Sequence, residues 1–259
     1  MSEAAASPTS SSLGVLYEKA YAVLCGRHPR QRPWHFQYLV IWHARRWLRP
    51  HVEELRGRLL DVGCGDRPYE LWVQRGRESV TSYVGIDIHD GPRVDIVIEP
   101  DRSWPIDDTS VDCILFNQVL EHVASPHQVL AELARVLRPG GVLLATVPFI
   151  YPAHGLPHDY ARFTINGIQR MFEQDYEVVE IVPLGRVGTS LATIFLSWIE
   201  AGMNSTRATR LLKGILLPIW IIVSLLVNLL GLLLDALDRT QTHYTQVGLL
   251  ARRKALPAA

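Results

Sequence analysis

The chain has 259 residues, enough for one α/β domain with additions or for two small domains. Twenty-six Lys and Arg balance 26 Asp and Glu, so the formal charge is zero and no global basic excess points to nucleic acid. The three cysteines, Cys25, Cys64 and Cys113, show no paired ligand spacing, which argues against a disulfide framework and for a reducing compartment.

Residues 1–12, "MSEAAASPTSSS", lack the basic-then-apolar order of a signal peptide and read as a disordered tail. Residues 13–55 read as an N-terminal helical lid, rich in Trp, His and Arg ("RPWHFQYLVIWHARRWLRPH"). From residue 56 short apolar runs alternate with amphipathic stretches. Strands are expected at 58–63, 82–87, 94–98, 111–116, 142–148, 177–183 and 246–252. Helices are expected near 68–76, 118–122, 126–138 and 165–174. Such alternation predicts an α/β domain over 56–254, with a parallel sheet covered on both faces. In "SPHQVLAELARVLRPGG", Ser125 reads as an N-cap, Pro126 suits the first turn, Gln128 completes a capping box and Gly140 lies just past the end.

Between the sixth and seventh strands lies an apolar insertion, 187–240. Its first part, "VGTSLATIFLSWI", is 13 uncharged residues, about 20 Å as a helix. Its second, Gly214 to Leu234, is 21 residues without a charge, enough for a bilayer core of about 30 Å. A single crossing would strand the last sheet strand on the far side. The expectation is therefore a monotopic pair of helices in one leaflet at the cytoplasmic face of a membrane, with Arg207, Arg210 and Lys213 among anionic headgroups. A buried hairpin, or a homodimer interface through the apolar helices, is the alternative.

The chemistry starts at "LLDVGCG", Leu59 to Gly65. Gly63 and Gly65 permit left-handed backbone and close approach of a ligand at the end of a strand. The next strand ends in Asp87, placed to accept from both hydroxyls of a ribose. A dinucleotide fold wants glycine or alanine where Pro68 stands, so that a helix N-terminus can reach a pyrophosphate. S-adenosylmethionine has no phosphate, and it suits a close turn flanked by Asp61 and Asp87.

"LLDVGCG", "YVGIDI", "WPIDDTSVDCILFNQVLEHV" and "ELARVLRPGGVLLATVP", in that order, resemble the class I S-adenosylmethionine-dependent methyltransferases, in the subgroup with an FD…LEH…RVLKPGG signature. The resemblance covers roughly residues 56–183 and returns at "YTQVGLLARRK". It implies a Rossmann-like seven-stranded sheet with an antiparallel last strand, and S-adenosylmethionine as cofactor. It also implies that Gly63, Cys64 and Gly65 line the methionine part, and that Asp61 orders the loop or meets the amine. Asp87 would bind the ribose and Ile88 an adenine face. Asp101, rather than Glu99, would accept from the adenine amine, and Asn117 and Gln118 would sit beside the sulfonium. Arg67 stands where the family usually has a third glycine.

Ligands sit at the carboxyl ends of parallel strands. The loop after the fifth strand, "PFIYPAHGLPHDYARFT", is therefore the expected acceptor wall. His158 beside Asp159 reads as an oriented base, with His122 of "LEHV" a second catalytic candidate. His154, Tyr160 and Arg162 read as acceptor-binding residues, with Arg162 for an anionic group. The spacing His154-x3-His158-Asp159 could suit a metal but lacks a fourth ligand, so none is expected. The stretch also resembles a segment of methyltransferases encoded with glycan and surface-polysaccharide enzymes. The expected acceptor is a small or amphiphilic molecule, a lipid-linked saccharide first and a quinone or other lipid second. A catalytically silent, methyltransferase-like membrane scaffold is the non-enzymatic alternative.

Overall fold

A computed structural model describes residues 12–76, 80–100 and 102–255. Seven strands are present: β1 (Gly57–Val62), β2 (Val80–Asp87), β3 (Ile96–Val97), β4 (Val111–Asn117), β5 (Leu137–Pro148), β6 (Tyr176–Leu184) and β7 (Gln246–Arg253). They form one sheet in the order β3-β2-β1-β4-β5-β7-β6. β1 to β5 pair in parallel, and β7 runs antiparallel between β5 and β6. The expected Rossmann-like sheet and its reversed last strand are both there.

Alternating residues of the central strands fill two cores. Leu60, Val62, Ile114 and Phe116 pack under α4 (Pro126–Val136) and α5 (Ile165–Phe172). Leu59, Cys113, Leu115 and Leu144 face α2 (Tyr38–Glu53) and α3 (Glu70–Arg75). Apolar residues on both faces are what parallel strands between two helical layers require. α2 therefore does more than cover a site. Its Leu48 and Val52 are buried on the sheet, worth about 1.5–3 kcal/mol each. It follows α1 (Ser12–Cys25), which opens at the last residue of the expected tail; residues 1–11 lie outside the described residues.

Three local expectations need correction. α4 stops at Val136, because Leu137 already pairs with Val111 and Pro139 disfavours helical backbone at Arg138. Ser125 stands at its N-cap, but its side chain caps nothing. Gln128 N donates to the Ser125 carbonyl at 3.1 Å, and the expected capping box is absent. The helix expected near 118–122 is a single 3-10 turn, Leu120–His122, since Gln118 takes a left-handed φ of 56° that a right-handed helix cannot continue. α5, by contrast, has a working cap: Thr164 Oγ1 accepts from Gly167 N at 3.1 Å.

The insertion folds as α6 (Val187–Asn204), α7 (Arg207–Ile215) and α8 (Leu217–Leu237). α8 has inverted polarity. Its buried residues are Trp220, Ser224, Asn228, Gly231 and Asp235, one stripe at helical spacing. Ile219, Ile222, Leu226, Leu229, Leu230, Leu233 and Leu237 are exposed, as are Leu191, Ile194, Phe195 and Trp198 on α6. Two residues of the inner stripe make polar bonds. Asp235 accepts from Thr189 N at 2.9 Å and lies 3.2 Å from His43 Nε2. Asn228 Nδ2 donates to the carbonyls of Pro33 and His35 at 2.8 and 2.9 Å. α6 and α8 cross at glycines: a Cβ on Gly188 would come within 2.0 Å of the Gly231 carbonyl oxygen. Lys213, expected among headgroups, is buried instead, paired with Glu200 and 4.5 Å from the Tyr17 ring centroid.

Candidate active site

β1 delivers the glycine turn to the carboxyl edge of the sheet. Gly63 has φ 68°, and a Cβ there would meet Val119 Cγ2 at 2.4 Å, so only glycine fits. Gly63 N and Cys64 N both donate to the Ile86 carbonyl, at 2.8 and 3.1 Å, tying the turn to β2. Gly65 has φ 46°, and nothing lies within 4 Å of where its Cβ would be. The space above the turn is open.

Asp87 ends β2 beside that space. Its carboxylate accepts from Gly65 N and His89 N, each at 3.0 Å. Ile88, the next residue, is 47% exposed, a large apolar side chain with no core to join. Asp61 is buried and accepts from the Tyr83 hydroxyl. Burial pushes its carboxyl up to about 7, although the Tyr83 hydrogen bond and the Arg67 charge pull the other way. Burial likewise pushes the Cys64 thiol up to about 11, so it stays protonated and packs rather than reacts.

Arg67 keeps the left-handed backbone of the glycine it replaces, with φ 51°. Its guanidinium pairs with Asp95 and lies 4.9 Å from the Tyr83 ring centroid. The side chain folds along β2 and leaves the turn clear.

β4 ends in Asn117 and Gln118. Asn117 Oδ1 accepts from Thr146 Oγ1, and its Nδ2 donates to the Tyr69 hydroxyl at 2.6 Å. The same hydroxyl lies 3.0 Å from His28 Nε2, in the lid. Burial holds His28 below the usual imidazole range. Gln118 N and Nε2 donate to Thr146 O and Oγ1, both at 2.9 Å. A chain of polar contacts thus joins β5, β4, the start of α3 and the lid. Tyr69, Tyr83, Thr146 and His28 went unflagged in the sequence, where only Tyr69, next to the glycine turn, offered a positional signal. Asp101 lies outside the described residues, and Glu99 pairs with Arg102 at 2.9 Å.

The loop after β5 is present but wired differently from expectation. Asp159 does not orient His158. It accepts from Arg162 Nη2 at 2.7 Å and from His154 N at 2.9 Å. The Arg162 guanidinium holds its carboxyl far below the usual carboxylate range, so Asp159 is a fixed anion and not a base. Arg162 is used up in turn, donating also to the carbonyls of Tyr151, Ala161 and Pro152. It braces the loop and has no free edge for an anionic acceptor. His158 Nδ1 lies 2.9 Å from the Tyr160 hydroxyl, and both residues are exposed. His122 and His154 do come together, with ring centroids 4.8 Å apart, above buried Glu121. The Glu121 carboxylate raises His154 above the ordinary imidazole range.

These features fit a nucleoside with a diol and a flat apolar base: an open glycine turn, a carboxylate at its rim and an exposed isoleucine beside it. The turn does not run straight into a helix that could hold a pyrophosphate, because Pro68 intervenes and α3 starts only at Glu70.

Residues 34–176 match the family model for a methyltransferase domain. A probable S-adenosylmethionine-dependent methyltransferase of Mycolicibacterium smegmatis is 46% identical over 120 residues, which is 39% of this chain and 45% of that protein. A ubiquinone biosynthesis O-methyltransferase of Burkholderia thailandensis is 30% identical over 144 residues, 45% of this chain and 62% of that protein. The chain spans less than two thirds of either relative. Among solved structures, an S-adenosylmethionine-dependent methyltransferase from Mesorhizobium loti superposes with a TM-score of 0.51 at 14% identity, over 85% of this chain and all of that one. The chain belongs to the methyltransferase-domain family, and its fold is that of an S-adenosylmethionine-dependent methyltransferase.

Proposed function

We propose that this chain transfers a methyl group from S-adenosylmethionine to an amphiphilic acceptor at the cytoplasmic face of a membrane, a lipid-linked saccharide first and a quinone or other lipid second. The inverted polarity of α8 carries the reading. A helix on a water-facing surface buries its apolar residues. α8 buries Ser224, Asn228 and Asp235 and turns leucine and isoleucine outward. Polar bonds and glycine contacts inside, with hydrocarbon outside, are the arrangement a lipid leaflet selects. At 21 residues α8 is long and apolar enough to cross a bilayer, but α6 and α8 both join the same sheet, so the pair lies in one leaflet.

The hairpin also meets the site. Asn228 holds lid carbonyls, and Tyr244, between α8 and β7, stacks on Phe149 at the root of the acceptor loop with centroids 4.7 Å apart. An acceptor anchored in lipid would therefore arrive between lid and loop. The cofactor supplies a methyl group already activated by positive sulfur. The chain supplies alignment and exclusion of water, through Asp87, Asn117, Gln118 and the lid. A hydroxyl acceptor must lose a proton, and His122 and His154 are the imidazoles placed to take it when their Nε2 atoms hold no metal ion.

The test is full-length protein incubated with S-adenosylmethionine labelled on its methyl group and a bacterial membrane-lipid extract. Label in the organic phase is the expected result. Transfer to any lipid would exclude the silent scaffold, and no cofactor binding would favour it. Flotation with anionic vesicles checks the membrane directly: the wild type should float, and Leu226→Glu with Leu233→Glu should abolish it. A wild-type chain that stays soluble without detergent and sediments as a dimer would assign the apolar face to a second copy.

A further inference from the structure

Glu121 is fully buried, yet neither of its carboxylate oxygens has a hydrogen-bond partner. An unpaired buried carboxylate is strongly disfavoured unless a cation stands beside it. Two imidazoles face it. Glu121 Oε1 is 3.9 Å from His122 Nε2 and 3.8 Å from His154 Nε2. One ligand atom from each of the three residues lies within 4.8 Å of the others.

Those distances are too long for hydrogen bonds. The two carboxylate–imidazole separations, 3.9 and 3.8 Å, are near the separation of about 3.4 Å expected for two ligands about 2.1 Å from one tetrahedral ion. Both rings are oriented from behind. His122 Nδ1 lies 2.6 Å from the His158 carbonyl oxygen. His154 Nδ1 lies 3.2 Å from the Pro152 carbonyl oxygen and 3.7 Å from Asp159 Oδ2. A proton on each Nδ1 leaves both Nε2 lone pairs aimed toward Glu121, the outer-shell pattern of metal-bound histidine. Gly155 fixes the loop against this trio: a Cβ there would meet His122 Cε1 at 2.8 Å.

We propose that Glu121, His122 and His154 form a binding site for one divalent transition-metal ion, with zinc as the reference ion. Two nitrogens and one carboxylate suit zinc, and three protein ligands leave a position open. The His122 and His154 side chains are 27% and 34% exposed, so that position faces solvent at the acceptor loop. A hydroxyl coordinated there gives up its proton more readily than in water. The set shares only His154 with the His154, His158, Asp159 spacing in the sequence, because its other two ligands come from the turn after β4. Metal binding here requires neither the cofactor nor the acceptor reading.

The experiment strips the full chain with chelator, titrates zinc chloride against a chromophoric competitor, and counts bound metal by plasma mass spectrometry. The wild type should bind one zinc per chain. Glu121→Gln and His154→Asn should each weaken binding at least about tenfold, while His127→Ala, at an exposed position on α4, should leave it unchanged. Circular dichroism confirms folding of each variant, and His154→Asn, at a half-exposed ring, decides if Glu121→Gln unfolds. Substoichiometric zinc in the wild type, or wild-type affinity in a folded His154→Asn variant, would overturn the proposal.

Discussion

Asp61 shows how one buried carboxyl can report on the site. Its pKa rises from an ordinary 3.8 to about 7, chiefly by burial. The folded chain therefore favours the neutral acid. The stability that this neutral form contributes is complete below the unfolded value and is lost as pH climbs through the folded one, a window of roughly pH 4 to 7. A cationic amine near Asp61 favours the opposite, ionised form. Affinity for S-adenosylmethionine should thus rise from about pH 5.5 to about pH 7, and Asp61→Asn should flatten that rise in a calorimetric titration series. A steep rise persisting in the variant would place the titrating group elsewhere. Arg162 gives a second check. Arg162→Ala should free the Asp159 carboxyl to return toward its usual range and loosen the loop after β5, seen as faster amide exchange across residues 151–161.

At the scale of elements, the strands were legible because each is a short apolar run ended by a turn former. The glycine turn was legible for the same reason, as Gly63 and Gly65 leave few alternatives. The end of α4 is hidden in the sequence because Leu137 continues the helical apolar rhythm while the sheet claims it. The His158–Asp159 pairing failed because adjacency in sequence cannot show that Arg162 reaches Asp159 first. The apolar character of α8 was plain, but not its inner stripe. Asn228 and Asp235 gain meaning only once Pro33, His35, His43 and Thr189 are seen against them. The tight α6–α8 crossing makes a sharp prediction. Gly188→Val cannot keep its place against the Gly231 carbonyl and should cost about 1–3 kcal/mol, measured as a lower urea midpoint. An unchanged midpoint would mean the helices do not cross so closely.

At the scale of the molecule, one sheet carries two attachments. Its carboxyl edge holds the glycine turn, Asp87 and the Asn117–Tyr69–His28 contacts. Its β6–β7 side carries the hairpin whose outer surface is hydrocarbon. α2 joins them, packing Leu48 and Val52 on the sheet while His43 meets Asp235 of α8. Seating on lipid and closure of the lid should then be linked, so vesicles should slow proteolysis of the segment between α1 and α2. All of this presumes that the turn after β1 holds a sulfonium nucleoside whose ribose is gripped by Asp87. Calorimetric titration of the full chain with S-adenosylmethionine tests that most directly. We predict one site of micromolar affinity, weakened more than about tenfold by Asp87→Ala. No binding by the wild type, or undiminished binding by the variant, would contradict it.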